Sequence, residues 1–431
     1  MMALGGGFYS KTNKVVPGAY VNYRARLKAK GYDIASGVVA VALNLKWGDE
    51  LIKVEADSFV KQSYKLFGLA FDDVLLSPIR ELIKGGAKTV YVYNLGLTEH
   101  FAQKSHESLT VKAKKAGELG NNIKVVVRQN IDVSDKFDID VFFGKVLVFS
   151  QVMVGDVSEI SENDFVTFSG TLSASAGLTL EGGKSKDVVE NSDYVKFIEY
   201  IESVDFNILV CNADSLEVVK VFHQFTKRMR DEEGKKFQFV YFSSSYKAND
   251  YAAVRLVDGK GLYWVAGMLA SVPLNVDLTN ALYTGSESVS VVLNSKKAEE
   301  MIEGGYFAFY KANNEVRVLA DINSMVDVLE NTNEDFKNNQ IIRIIDRRVL
   351  EVANIFNYNY LGKIQNNADG RMLLWNDVVN SAKGMEKAGI LENYNGEATK
   401  ISYVDKKSVS VVEEITPIST MTKLYMNIEV I

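Results

Sequence analysis

Strand–helix alternation occupies two separate stretches of this sequence, residues 33–95 and 185–242, and residues 97–184 between them have a different character. In the first stretch, 37–43 is a continuous apolar run suited to a strand buried on both faces. Helical patterns follow, one through Phe59, Tyr64 and Phe67 and one over 74–83 that ends at Gly85 and Gly86, and then a β-rich run at 88–93. In the second stretch, Tyr194, Phe197, Ile198 and Ile201 share one helix face. An apolar strand over 208–211, a helix over 215–230 and a strand over 237–242 come next. This rhythm predicts a largely parallel sheet flanked by helices. Residues 97–184 give short β-prone pieces at 108–112, 123–128, 138–143 and 165–168, separated by turn residues. They predict an all-β module inserted into the α/β domain.

Residues 263–283 look partly helical, with Pro273 marking a break or a helix start, and the pattern changes again near Asn294. Runs at 306–310 and 316–319 straddle Asn313 and Asn314 and predict a hairpin. A long helix is expected along Ile341, Ile345, Val349, Val352 and Phe356, and another over 373–387. The expected fold is therefore an α/β multidomain chain with five parts. These are an arm at 1–25, a discontinuous α/β domain at 26–96 and 185–293, and an inserted β-sandwich module at 97–184. An α+β assembly domain at 294–420 and a terminal strand at 421–431 complete it.

Composition narrows the function. The formal net charge of −6, with no Lys/Arg-rich block, argues against a nucleic-acid partner. No apolar run reaches the ~18–20 residues that span a bilayer, and the amino terminus lacks a signal-peptide pattern, so synthesis in the cytosol without membrane insertion is expected. The single cysteine, Cys211, lies in an apolar run and reads as a buried hydrophobe.

Catalytic equipment is thin. His100, His106 and His223 do not cluster with other ligands at metal-site spacing, so no metal is expected. Asp132, Asp135, Asp138 and Asp140 lack the glycine and terminal glutamate of a calcium loop and read as solvated turns. The serines at 243–245 follow a strand, where turn formation is the expected role, and no nucleophile elbow occurs. The glycine pairs and triplets lack the strand and the Gly-Lys-Ser/Thr of a phosphate loop. No catalytic residue and no cofactor is expected.

The unusual features lie at the ends. Tyr20, Asn22 and Arg24 alternate with Val21 and Tyr23, and Leu424, Met426, Ile428 and Val430 alternate with Tyr425, Asn427 and Glu429. Both patterns read as strands with no partner nearby in sequence. An unpaired strand exposes backbone groups that template pairing with another chain. Pairing in trans and pairing within the chain both remain open at this point.

Fragments spread along the chain resemble the phage tail sheath family, the myovirus type of Gram-positive prophages and related bacteriocins. They are ALGGG at 3–7 and KVVPG at 14–18, LFG at 66–68 with Asp72 and Asp73, KTVYVY at 88–93, and AGELGNN at 116–122. AGMLA at 266–270, LTN at 278–280, YTG at 283–285, EVRV at 315–318, DINS at 321–324 and YLGK at 360–363 follow in the family's order, as do Asn366, Asn367, Gly370 and Arg371. Asn94 stands where the family often has arginine.

The resemblance implies a subunit of a contractile sheath. Such subunits form hexameric rings stacked helically around a tail tube, with baseplate and tail-terminator proteins as further partners. It implies that a small carboxy-terminal sheet receives strands from neighbouring copies. The interface residues would then be Val15, Val16, Tyr20, Val21, Asn22 and Tyr23 in one arm, and Leu424, Tyr425, Met426, Asn427, Ile428, Glu429 and Val430 in the other. A hydrolase-like α/β enzyme and another structural tail component are the alternatives. The particle, phage or bacteriocin, would be assembled in the bacterial cytoplasm and released by lysis.

Overall fold

The computed structural model describes residues 36–430. The first α/β stretch comprises β1 (Val38–Leu43), β2 (Leu51–Glu55), α1 (Phe59–Phe67), α2 (Ser77–Gly85) and β3 (Thr89–Asn94). The inserted segment comprises β4 (Gln103–His106), β5 (Leu109–Ala113), β6 (Ile123–Gln129), β7 (Phe137–Phe143), β8 (Val146–Val154), β9 (Val166–Gly170) and β10 (Ser175–Thr179). Alternation resumes with α3 (Asn191–Ile201), β11 (Ile208–Cys211), α4 (Leu216–Asp231), β12 (Gln238–Phe242), β13 (Ala253–Leu256) and α5 (Leu262–Ser271). The remainder holds β14 (Val291–Val292), α6 (Ser295–Glu303), β15 (Tyr306–Phe307), β16 (Phe309–Ala312), β17 (Glu315–Val318), α7 (Asn339–Ile355), α8 (Ala368–Lys387), β18 (Lys400–Tyr403) and β19 (Val409–Val412).

A seven-stranded sheet of order β15-β13-β12-β11-β1-β3-β2 forms the centre, parallel except for β2. Its two faces follow from the two-residue period of a strand. Val39, Val41 and Leu43 of β1 join the core under α1, α2 and α5, while Val38, Ala40 and Ala42 join the core under α3 and α4. Helices α2 and α5 cross where two glycines meet. A β-carbon on Gly85 would lie 2.3 Å from the Trp264 carbonyl oxygen, and one on Gly267 would lie 2.1 Å from that of Leu82.

The inserted strands form two antiparallel sheets, β10-β6-β7-β8 and β4-β5-β9, around one core. That core also takes in Trp47, from the segment that follows β1. The Trp47 ring stacks on Phe165 at 6.2 Å and meets Phe143 edge-on at 5.2 Å, so the insert is plugged onto the central sheet rather than tethered to it. The backbone agrees: the Lys46 carbonyl accepts the amide of Leu119 (3.2 Å) and the hydroxyl of Ser185 (3.0 Å).

The expected hairpin at 306–319 is divided. Tyr306–Phe307 pairs with β13 in the central sheet, and only β16 and β17 form the hairpin, with β14 beside it. Phe307, Phe309 and Val318 lie in the same core as β1, so residues placed by sequence in the carboxy-terminal domain pack on the central one. Helices α7 and α8 form the next layer, joined by a π-helical turn at Phe356–Tyr360. The Arg230 guanidinium pairs with Asp346 through two bonds of 2.7 and 2.6 Å, and Asn339 bonds both Gln238 (3.0 Å) and Asp321 (3.0 Å), tying this layer to the sheet.

Removing the plug tests this arrangement. Trp47→Ala is expected to lower unfolding free energy by ~3–5 kcal/mol in denaturant titration, with residues 97–184 becoming the first site of limited proteolysis.

Candidate assembly interface

The carboxy-terminal layer ends in a two-stranded antiparallel sheet. Strand β18 pairs with β19 in the register Lys400↔Val412, Ile401↔Val411, Ser402↔Ser410 and Tyr403↔Val409. Residues alternate between the two faces of each strand, so Ile401, Val409 and Val411 turn toward α8 and pack with Leu374, Val378 and Tyr360, while Val412, opposite Lys400, lies on the other face and is exposed. The turn is built by Asp405, whose carboxylate accepts the Lys407 amide at 2.7 Å. That bond and one from the Ser408 hydroxyl hold the Asp405 carboxyl below the usual range. The Asn366 amide fixes the turn to the loop before α8 by donating to the carbonyls of Asp405 (2.8 Å) and Ser408 (3.1 Å). At the other end, the Trp375 indole donates to the Thr399 carbonyl at 2.9 Å.

A buried ionic cluster holds the base of the hairpin. Arg348 is 3 % exposed and forms bonds of 2.7 and 2.6 Å to both carboxylate oxygens of Glu413, just after β19. It also donates to Ser381 and to the Val378 carbonyl. The Tyr394 hydroxyl donates to the same Glu413 at 2.7 Å and bonds Thr399, just before β18. Burial first, then the Glu413 contact, push the Tyr394 phenol up to about 12, so it stays a donor.

Among the described residues no third strand joins this sheet, so both of its outer edges are open. A hairpin alone is marginal in water, and helix α8 supplies the supporting face here. The edge of the inserted module is treated differently. Strand β8 also lies at a sheet edge, but two register shifts against β7 break its pairing line, and Met153 has a φ of 61°. The Gln151 side chain covers that edge with bonds to Glu159 and Ser161. Bulges of this kind blunt an edge against strand addition. The β18–β19 pairing contains no such shift.

The carboxy-terminal tail leaves from the same layer. The Glu392 amide donates to the Thr416 carbonyl and the Ile418 amide to the Ile390 carbonyl, both at 2.9 Å. The Thr420 amide then donates to the Gln340 side chain. Beyond it, residues 421–430 form no hydrogen bond among the described residues, and the expected strand at 424–430 has no partner there. Leu424 is 86 % exposed, Met426 69 %, Ile428 73 % and Val430 93 %. Tyr425, Asn427 and Glu429 alternate with them in sequence and are exposed as well. The other expected interface residues, Val15, Val16, Tyr20, Val21, Asn22 and Tyr23, lie outside the described residues.

The places where an α/β enzyme keeps its chemistry are taken up otherwise. A doubly wound sheet binds ligands beyond the carboxyl ends of its strands, at the point where strand order reverses, here between β1 and β11. The inserted module is seated on the segment leaving β1, through Trp47 and Lys46. His223, which its helix places at the surface or its boundary, is half-buried. Its Nδ1 bonds the Tyr246 hydroxyl at 2.6 Å and its Nε2 bonds Asp250 at 2.7 Å. Ser243 uses its hydroxyl to accept the Tyr246 amide. Asp138 and Asp140, expected in solvated turns, lie on β7. Asp140 is buried and pairs with Arg128 (2.6 Å) and Ser150 (2.7 Å). No group of metal-ligating side chains occurs among the described residues.

Comparison with known proteins gives concordant matches. Residues 84–198 match the family model of the phage tail sheath protein beta-sandwich domain, 187–324 that of the central domain, and 331–431 that of the phage tail sheath C-terminal domain. The phage-like element PBSX protein XkdK of Bacillus subtilis is 28 % identical over 469 residues, covering 99 % of each chain. YqbK of the same organism is 30 % identical over 377 residues, covering 79 % of this chain and 80 % of that protein. The crystal structure of a sheath tail protein from Desulfitobacterium hafniense superimposes with a TM-score of 0.78 at 28 % identity, over 93 % of this chain and 96 % of that one. One from Listeria innocua gives 0.80 at 25 %, over 89 % and 92 %. The helical sheath of the anti-feeding prophage in its contracted state shares the fold, with a TM-score of 0.53 at 9 % identity over 96 % of this chain and 99 % of that one.

Breaking the ionic cluster tests the hairpin's support. Glu413→Ala leaves Arg348 buried without its counter-ion and is expected to destabilise the protein by ~3–5 kcal/mol, read as a lower denaturation midpoint. Arg348→Met combined with Glu413→Leu is expected to recover most of that loss.

Proposed function

The chain belongs to the phage tail sheath family, and from that premise we propose that its copies contract as a sheath linked by strand exchange at the β18–β19 hairpin. The observation that carries the proposal is the conjunction of an unguarded hairpin with an exposed, alternating tail. Added at a hairpin edge, Leu424, Met426, Ile428 and Val430 extend the apolar row of Ile401, Val409 and Val411 toward α8. Tyr425, Asn427 and Glu429 then extend the outward-facing row of Lys400, Ser402, Ser410 and Val412. The second edge receives the amino-terminal arm of another neighbour, through Val15, Val16, Tyr20, Val21, Asn22 and Tyr23.

Magnitudes favour a joint that holds only in company. Burying the four apolar tail side chains contributes about 6–12 kcal/mol at ~1.5–3 kcal/mol each. Ordering the seven residues 424–430 costs about 7–14 kcal/mol of backbone entropy at ~1–2 kcal/mol each. Each added backbone hydrogen bond contributes only ~0.5–1.5 kcal/mol net. A single joint is therefore near balance, and a ring of them is stable because each formed joint raises the effective concentration for the next. Copies stay apart until templated, then lock into hexameric rings that stack around a tail tube between a baseplate and a tail terminator.

Contraction is then a rigid-body change between two packings. The joints persist through it because the hydrogen bonds lie in the hairpin, and the connecting segments absorb the rotation. The extended sheath is held kinetically, and release of assembly free energy, with no nucleotide, drives the tube through the target envelope. The protein acts without enzymatic activity, is made in the bacterial cytoplasm, and leaves with the particle on lysis.

Tail substitutions separate assembly from folding. Met426→Asp with Ile428→Asp alters exposed side chains, so the monomer's melting should change by no more than ~0.5 kcal/mol. Rings and tubes in negative-stain images should disappear, as they should on deleting residues 1–24. Tubes of normal yield and length from either variant would contradict the proposal.

A further inference from the structure

The outer edge of β19 differs in charge from one end to the other. The turn before it holds Lys406 and Lys407, both exposed and without a carboxylate partner among the described residues. The one acid of that turn, Asp405, is turned back on the Lys407 amide. Past β19 the alternation of faces continues. Glu413 points inward and is held by Arg348, while Glu414 is exposed and has no ion pair among the described residues. A hollow of about 100 Å³ opens beside Val409, with Leu361, Ile364 and Leu374 in its lining and no residue of β18. It therefore lies on the β19 side of the hairpin.

The backbone of that edge is set for pairing. The Val404 amide donates to the Ser408 carbonyl at 3.2 Å, in line with the β18–β19 register. Antiparallel bonds fall on alternate pairs, so those inside the hairpin lie at Ser402–Ser410 and Lys400–Val412. The amides and carbonyls of Val409 and Val411 then face outward, and they form no bond outside the hairpin among the described residues.

The tail carries the complementary pattern. Lys423 and Glu429 are the only charged residues in 420–430, and both are exposed. Set antiparallel to β19, Lys423 stands opposite Glu414. The same register puts Met426 opposite Val411, Asn427 opposite Ser410 and Ile428 opposite Val409, and it leaves Glu429 diagonal to Lys406. Inward residues of the tail then meet inward residues of β19, and outward meet outward. Run parallel, Lys423 falls beside the turn lysines and Glu429 beside Glu414, two like-charge contacts. A two-residue slip in the antiparallel arrangement takes Lys423 off Glu414 and Ile428 off Val409.

We propose that the tail of a neighbouring copy adds to β19 rather than β18, antiparallel, with Lys423 opposite Glu414 and the Ile428 side chain in the hollow beside Val409. The proposal rests on the strand exchange put forward above and fixes its edge, direction and register. The charges at the two ends make Lys423, Glu429 and Glu414 the residues that select this arrangement over the parallel one.

Tubes assembled from equal amounts of two variants test it. One variant carries Ser410→Cys and the other Asn427→Cys, so any disulfide between these positions joins different copies, and the native Cys211 is buried. In the proposed register these two positions share no backbone bond and lie ~4.5 Å apart at Cα, inside the range a disulfide spans. Under mild oxidation the pair is expected to cross-link about tenfold faster than Ser410→Cys with Tyr425→Cys or with Glu429→Cys. Should Asn427→Cys impair assembly, Tyr425→Cys with Val412→Cys reports the same register. Lys423→Glu is expected to cause a loss of tubes that Glu414→Lys in the same chain restores. Faster cross-linking at Tyr425→Cys or Glu429→Cys, or of the tail cysteines to Ser402→Cys on β18, overturns the register or the edge and leaves strand exchange standing. Assembled tubes in which no tail cysteine joins either strand overturn both.

Discussion

Backbone hydrogen-bonding groups that no other strand among the described residues meets, at the two edges of β18–β19, are the feature on which the account of this structure turns. A sheet edge is a liability that folded proteins usually cover, twist or interrupt. This chain interrupts the edge of β8 with two bulges and leaves the hairpin edges regular. The Arg348–Glu413 cluster, Asn366 and Trp375 hold that hairpin rigid on α8, so a strand arriving from outside meets a formed template.

The other layers make sense around that template. The central parallel sheet is a fold that elsewhere hosts ligand sites, but fold alone does not carry function. Here the inserted module is seated through Trp47 on the segment that leaves β1, and the half-buried His223 is committed to Tyr246 and Asp250. Body, insert and helical layer are thus joined by buried contacts. On the contractile function proposed above, motion between two sheath lengths would fall on the contacts between copies and on the segments that connect them.

Much of this was legible in sequence, for reasons that differ by element. Parallel strands buried on both faces appear as continuous apolar runs, and β1, β11 and β12 stood out for that reason. Helix α3 showed its buried face, Phe197, Ile198 and Ile201, through the helical period. Helix α7 was found, but its stripe was misread. Val349 is 43 % exposed, and Arg348 is the buried residue, a charge that periodicity scores as surface because its partner Glu413 lies 65 positions away. Tyr306–Phe307 is too short to distinguish from the hairpin beside it, and only its pairing with β13 places it in the central sheet. The β18–β19 hairpin was missed, although Ile401 and Tyr403, and Val409 and Val411, alternate with polar residues around a turn at Asp405. The tail's alternation is local and reads as a strand, but residues 421–430 adopt no strand in a single copy, and on the account given above they gain one only by pairing with another copy.

The most direct measurement is a density map of the assembled particle in both the extended and the contracted length, at a resolution that traces side chains. The account predicts that in both maps residues 424–430 of one copy and an arm segment of another lie as added strands on either side of Lys400–Tyr403 and Val409–Val412 of a third. A map in which the hairpin edges face solvent, or in which each tail folds back on its own subunit, would contradict it.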